Sequence, residues 1–281
     1  MFENILVGVD GTTGGRDAIA FAQRLAGPDA RITLVYVRGG ANVLRSAGGR
    51  GAGLAEDESR ALLARERDTA EMGAELASVE ASSPGAGLHA EAERRAADLI
   101  VVGSSARGLI GRAMLGDDTR GALNGAPCAV AIACRGYDEH PFPVARIGVA
   151  YNGSPESERA LAAAGRIASE TRAEVIALEV VGVPPTAYVG LAAAAYGAAV
   201  DRMVGEAKER MAALEGASGR VAYGVPGEEL AAFSAEVDLL VVGSRSYGPL
   251  RRLVLGSTSD YLERHARSSL LVLPRRRHDE D

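Results

Sequence analysis

The sequence predicts an α/β protein built as two tandem doubly wound domains. Three observations carry this: a length of 281 residues, a repeated pair of strand motifs, and hydrophobic runs that alternate between strand and helix periods. A chain of this length is long for one simple domain and comfortable for two of about 140 residues each. The repeat is read directly. Ile5-Leu-Val-Gly-Val-Asp10-Gly-Thr12 is echoed 142 residues later by Ile147-Gly-Val-Ala-Tyr-Asn152-Gly-Ser154. Ala97-Asp98-Leu-Ile-Val-Val-Gly103-Ser104 is echoed 140 residues later by Val237-Asp238-Leu-Leu-Val-Val-Gly243-Ser244. Two echoes at nearly one offset mark a duplicated domain.

In the first half, short apolar runs at 5–9, 32–37, 99–102 and 128–133 read as strands buried on both faces. A third strand falls within 76–82, before the Ser-Ser-Pro-Gly turn. Between the strands, 14–26 and 56–77 carry apolar residues at helical spacing among Arg and Glu. The second half repeats the order, with strands near 147–151, 175–181, 220–224, 239–242 and 269–273. Its helices lie near 155–170, 196–214, 227–235 and 258–266. Strands alternating with helices imply parallel pairing through right-handed crossovers. Residues 39–53 form a flexible glycine-rich excursion, and 182–195, with Pro184 and Pro185, holds the same place in the second half. The segment 135–145 contains two prolines and mixed charge and is predicted to be an exposed linker. The domains are therefore set at 1–136 and 144–276, with 277–281 a charged tail. The fifth strands, 128–133 and 269–273, are expected to pair the halves as a pseudo-dimer.

Composition excludes several classes. Apolar residues make up 47% and charged residues 24%, as in an ordinary soluble domain. A net charge of −6 gives no basic field for DNA or RNA. No apolar run approaches the about 18 residues a membrane span needs, and the N-terminus shows no signal-peptide pattern, so a cytoplasmic location is expected. Cys128 and Cys134 match neither a zinc pair nor a redox C-x-x-C, and burial as small hydrophobes is expected. The four histidines show no ligand spacing. The only lysine is Lys208, so a Walker G-K-[ST] loop is absent, as are the G-x-G-x-x-G, H-x-G-H and S-G-G-x-D-S signatures of related nucleotide enzymes.

In an open parallel sheet, ligands bind beyond the carboxyl ends of the strands where strand order reverses. In the second half this places Asn152-Gly153-Ser154 beside the run from Gly243 to Thr258. Glycines admit backbone N–H groups close to a phosphate, and the helix opening at Gly256-Ser257-Thr258 offers unpaired donors and partial positive charge. Arg251 and Arg252 stand ready as countercharge. The same residues also have a purely structural reading, in which Gly243 and Gly248 turn the chain and Ser257 caps its helix.

These motifs resemble the universal stress protein family, whose nucleotide-binding members carry G-x2-G-x9-G-[ST] between the fourth strand and the next helix. Gly243, Gly256 and Ser257 match, while Ser246 stands where the second glycine is expected. The V-G-V-D-G-[ST] opening and the A-D-L-I-V-V-G-S strand are similar to that family in both halves. The resemblance implies a Rossmann-like five-stranded parallel sheet, order 3-2-1-4-5, in each half, of the adenine-nucleotide alpha-hydrolase type. Carried over by position, it implies nucleoside contact at Asn152, adenine contact at the Val180 backbone, and phosphate contact at Gly243, Gly256, Ser257 and Thr258. In the first half the matching positions are Asp10, Val37, Gly103 and Gly116, but Ala106 replaces the second glycine and Asp117-Asp118 replace the hydroxyl pair. A carboxylate about 5 Å from a phosphate at an effective dielectric near 20 is repelled by roughly 3 kcal/mol per charge, about a hundredfold in affinity. The first half is therefore expected to be empty or to hold nucleotide only through Mg²⁺.

The expected function is an ATP-binding stress or regulatory protein that binds mainly through the second domain, with Mg²⁺ entering through the phosphates. Very slow hydrolysis is expected at most, since no general base accompanies the loop. A cyclic nucleotide such as cAMP, or AMP, is the alternative ligand. An interaction module without a ligand is the alternative class, with a protein partner the sequence leaves unidentified. The resemblance also allows a homodimer of the whole chain.

Overall fold

The structure, a computed structural model, describes residues 1–39, 54–104, 117–182, 193–244 and 257–274. Ten strands form one continuous sheet: β1 (Phe2–Gly8), β2 (Ala26–Gly39), β3 (Glu75–Ala81), β4 (Leu99–Gly103), β5 (Ala129–Ala133), β6 (Arg146–Ala150), β7 (Glu174–Gly182), β8 (Ser218–Gly224), β9 (Leu239–Gly243) and β10 (Ser269–Leu273). The spatial order is β3-β2-β1-β4-β5-β10-β9-β6-β7-β8. Each half is thus a parallel 3-2-1-4-5 sheet, and the halves join where β5 and β10 pair antiparallel, Leu271 opposite Ala131. The seam is fastened by a hydrogen bond from the Cys134 amide to Ser269 Oγ at 3.1 Å. Pairing the last strands leaves β3 and β8 as the outer edges.

The helices are α1 (Thr13–Leu25), α2 (Glu56–Thr69), α3 (Pro84–Arg95), α4 (Asp117–Leu123), α5 (Pro155–Thr171), α6 (Ala193–Ala212), α7 (Pro226–Phe233) and α8 (Ser257–His265). They cover both faces of the sheet, as crossover connections require. Successive strand residues point to opposite faces. Ile5, Val7, Val101, Ile147, Val149 and Val241 meet α1, α2, α5 and α6 in one core. Leu6, Ile100, Val130, Ile176, Leu240 and Leu270 meet α3, α4, α7 and α8 in the other. Cys128 and Cys134 are buried free thiols in these layers, and burial pushes the Cys128 thiol up to about 12.

The motif aspartates have a structural task. Asp98, just before β4, accepts the amides of Glu3 (2.9 Å) and Asn4 (3.0 Å) at the start of β1. Asp238 does the same for Ala145 (2.9 Å) and Arg146 (2.7 Å) at the start of β6. Each holds the first strand of its half against the fourth.

Two expectations are corrected and a third is refined. The helix expected over 56–77 ends at Thr69, because Leu76 and Val79 belong to β3. The Ser-Ser-Pro-Gly segment opens α3: Ser83 accepts the Ala86 amide at 3.2 Å as an N-cap and Pro84 takes the first helical position. The 135–145 linker is exposed at 138–141, 143 and 145, as expected, but Tyr137 and Val144 anchor it to the protein. Tyr137 is fully buried, its ring set edge-on to Phe21 (5.1 Å between centroids) and Phe142 (4.8 Å), while its hydroxyl donates to the Phe142 carbonyl. Asp17 of α1, also buried, accepts the amides of Gly136 and Asp138. Residues 40–53 of the expected excursion, 183–192 and the 277–281 tail lie outside the described residues.

Candidate functional site

The carboxyl ends of β6, β7 and β9 enclose a cleft of about 430 Å³, beside the point where the chain crosses from one side of β6 to the other. Its floor is apolar: Ala150, Leu178, Val180 and Val242 from the strands, with Pro226 and Leu230 from α7. Its rim is polar, with Tyr151, Asn152 and Ser154 after β6, Glu156 and Ser157 on α5, and Thr258 and Ser259 on α8. The volume and the mix of apolar wall with a few convergent polar groups suit a small organic ligand.

The loop after β6 is shaped locally. Gly153 takes φ +73°, a left-handed turn that glycine adopts without strain. Asn152 Oδ1 accepts the Ser154 amide at 3.2 Å, and Ser154 then caps α5 by accepting the Ser157 amide at 3.3 Å. The first half repeats the turn: Gly11 has φ +78°, and Asp10 Oδ1 accepts the Thr12 amide (2.9 Å) and hydroxyl (2.7 Å). Beneath the loop sits a charged network. The buried Glu179 carboxylate is gripped by Arg210 at 2.7 and 3.2 Å, which raises the guanidinium pKa further. Tyr151 donates its hydroxyl to Glu158, and burial, reinforced by that hydrogen bond, pushes the phenol up to about 12. The tyrosine is therefore neutral at physiological pH.

Of the residues singled out by sequence, the cleft gathers Asn152, Val180, Gly243 and Thr258. Gly153 lies on the same loop with its Cα toward Arg210, whose Cδ would sit 3.4 Å from an added Cβ. Ser257 begins α8, while Ser246 and Gly256 lie outside the described residues. In the first half Gly116 likewise lies outside them. Gly103 and Val37 are placed by packing there: a Cβ on Gly103 would fall 2.0 Å from the Gly14 carbonyl, and Val37 fills the space beside Gly87. Sequence reasoning missed Tyr151, Glu156, Ser157 and Leu230. The capping pattern Ser154-Pro155-x-Ser157 was the signal available for the α5 contribution.

The site offers hydrogen-bonding hydroxyls and an amide at one end, and an apolar slot at the other. Among the described lining residues the only formal charge is the Glu156 carboxylate. Among the described residues no group of three or more His, Cys, Asp or Glu is placed to hold a metal, and no helix is long and apolar enough to cross a membrane.

Comparison with known proteins agrees with this architecture. The profile of the universal stress protein family matches residues 1–133 and 143–274. The curated universal stress proteins Rv2005c of Mycobacterium tuberculosis and Mb2028c of Mycobacterium bovis are 33% identical over 183 residues, 63% of this chain. That match spans 61% of the length of those relatives. A putative universal stress protein from Pseudomonas aeruginosa superposes with a TM-score of 0.65 at 19% identity, covering 97% of this chain and 94% of its own. A universal stress protein from Archaeoglobus fulgidus does so with a TM-score of 0.61 at 19% identity, covering 99% and 97%. Both matches carry the fold across the two halves. With a family profile spanning each half of a duplicated sheet, the chain belongs to the universal stress protein family.

Proposed function

We propose that the second domain binds an adenine nucleotide, ATP in the first instance, and that the protein acts as a nucleotide-responsive stress or regulatory factor rather than as an enzyme. The carrying observation is the cleft at the ends of β6, β7 and β9, where Asn152, Val180, Gly243 and Thr258 converge. Leu178, Val180 and Leu230 form a slot suited to a flat base. Asn152, Ser154 and Ser157 supply polar contacts at a sugar. The start of α8 supplies backbone donors and partial positive charge for phosphate, with Thr258 beside it. A bound nucleotide would bring its own Mg²⁺ through its phosphates.

The test is calorimetric titration of the full chain with Mg-ATP, with cAMP and AMP as competitors. Saturable binding that Gly256→Asp abolishes, in a chain that still unfolds cooperatively, supports the reading. Absence of heat and of thermal shift at millimolar Mg-ATP rejects it. A second reading, an interaction module without a triphosphate ligand, is favoured by one observation: the charged lining side chain is Glu156, ion-paired with Arg159 at 3.7 Å, and no Lys or Arg lies among the described lining residues. By the same electrostatics AMP or cAMP meets less repulsion than ATP. Preferential binding of either would move the assignment to that ligand.

A further inference from the structure

The loop after the first strand of each half rests on a different kind of side chain. Gly11 and Gly153 make the same left-handed turn, at φ +78° and +73°. An added Cβ on Gly11 would fall 2.7 Å from Leu62 Cδ1 of α2. An added Cβ on Gly153 would meet Arg210 of α6 instead, 3.4 Å from its Cδ and 3.9 Å from its Nε. A hydrocarbon side chain backs the first loop, and an arginine stem backs the second. Arginine stems cover such surface well, yet they are flexible, and one left loose would leave the loop loose.

The head of Arg210 is not loose. Its Nη2 and Nε donate to the two oxygens of Glu179, at 2.7 and 3.2 Å, a two-point grip that fixes the guanidinium plane. The Glu179 side chain is 8% exposed, so the carboxylate has lost most of its water and depends on this partner. Glu179 stands on β7 immediately before Val180, and successive strand residues face opposite ways. Val180 therefore lines the cleft while Glu179 reaches α6 on the other side of the sheet. Arg210 thus ties β7, which carries Val180 of the cleft floor, to the loop that carries Asn152 and Ser154. The first half places other residues there. The Val9 amide bonds to the Val35 carbonyl as the Tyr151 amide does to that of Leu178, so Tyr36 stands where Glu179 does.

We propose that Arg210 is a positioning residue for the second-domain site: pinned by Glu179, its stem holds Gly153 and so sets Asn152 and Ser154 at the rim of the cleft. It is not among the lining residues and acts through the loop. The identity of the ligand rests on the nucleotide reading above; the hold on the loop does not.

The test compares Arg210→Ala with Arg210→Lys in the full chain. Arg210→Lys keeps a long stem and a cation for Glu179, and Arg210→Ala keeps neither. Mg-ATP affinity, measured by calorimetry, is expected to fall about tenfold or more in Arg210→Ala, as misplaced contact groups cause, and to recover most of that loss in Arg210→Lys. A role in stability alone would lower the melting temperature of Arg210→Ala and leave its affinity intact; that outcome overturns the proposal. Hydrogen exchange gives a readout that needs no ligand. The Ser154 amide, held by Asn152 Oδ1 at 3.2 Å, should exchange faster in Arg210→Ala, while the Thr12 amide of the first-half loop keeps its rate. An unchanged rate at Ser154, or an equal rise at Thr12 that marks general loosening, overturns the hold on the loop. Should Arg210→Ala fail to fold because Glu179 is left buried and unpaired, Arg210→Ala combined with Glu179→Gln removes the stranded charge and carries the same expectations. If the wild type binds no nucleotide, the functional reading fails, while exchange at Ser154 still decides what Arg210 does.

Discussion

The Gly243 backbone lies so close to Glu156 that an added Cβ would stand 2.8 Å from the Glu156 carbonyl oxygen and 2.9 Å from its Cβ. The glycine that ends β9 therefore does two things. It leaves the rim of the cleft without a side chain, and it admits the first turn of α5 onto the sheet. The first half shows the same relationship in a tighter form, with Gly103 against the Gly14 carbonyl at 2.0 Å. Gly243→Ala is expected to push α5 outward at a cost of about 1–3 kcal/mol, the usual range for overpacking. Gly103→Ala should cost more, because the clash is with backbone and is shorter. Thermal melts of the two variants check the order. A Gly243→Ala chain as stable as the wild type would mean that the strand end is not packed against the helix.

Much of the fold was legible because the strands are buried on both faces, so their β-branched runs stand out without any partner being known. Pairing through β5 and β10 followed from the need to cover two edges. The start of α3 was not legible as a helix. Ser83 and Pro84 cap and open it, yet the same residue types also make turns, and the Gly-Ala-Gly segment that follows has little apolar pattern. The extent of α2 was misread because its apolar spacing runs on into β3, where Leu76 and Val79 obey a period of two. Of the site, the ends of β6 and β9 could be read as motifs. Thr258 at the start of α8 was read with its motif, but the wall from α7 could not be, since Leu230 joins Val180 in the cleft only through tertiary packing. The burial of Tyr137 is hidden for the same reason, its partner Phe21 being more than a hundred residues earlier.

The paired aspartates give a prediction that separates structure from ligand binding. Asp238 accepts two amides at the start of β6 through one carboxylate oxygen, and charge-assisted bonds of this kind are shorter and stronger than neutral ones. Asp238→Ala leaves those amides to water and should destabilise the second domain by about 1–3 kcal/mol. Asp238→Asn retains an acceptor and should recover part of the loss. Hydrogen exchange at Ala145 and Arg146 should quicken in both, more in the alanine variant. Exchange unchanged at those amides would show that the carboxylate does not hold the strand.

The linker gives a test of how it is anchored to the first domain. Tyr137 is fully enclosed by Phe21 of α1 and Phe142 of the linker itself. Tyr137→Ala should cost about 3–5 kcal/mol, as buried aromatic truncations do. Tyr137→Phe keeps the ring stack and loses the hydroxyl's bonds to the Phe142 carbonyl and to Arg24, for about 1–2 kcal/mol. Limited proteolysis between residues 135 and 145 should be fast in Tyr137→Ala and slow in wild type and Tyr137→Phe. Cleavage of the wild type as fast as that of Tyr137→Ala would mean that the Tyr137 anchor does not hold this largely exposed segment.

Asp17 makes the same anchor pH-dependent. Burial raises its carboxyl above the ordinary value of 3.8, against the opposing amides of Asp138 and Gly136. A carboxyl whose pKa is higher folded than unfolded binds its proton more tightly in the native state. Its stabilising contribution is then complete below the unfolded value and is lost as pH rises through the raised folded value. Asp17→Asn removes that titration. The melting temperature of wild type minus that of Asp17→Asn should therefore fall as pH is taken from 3 upward and level off once Asp17 is ionised. A difference that rises over the same interval would mean that the two amides outweigh desolvation, and that the buried carboxylate secures the linker in its charged form.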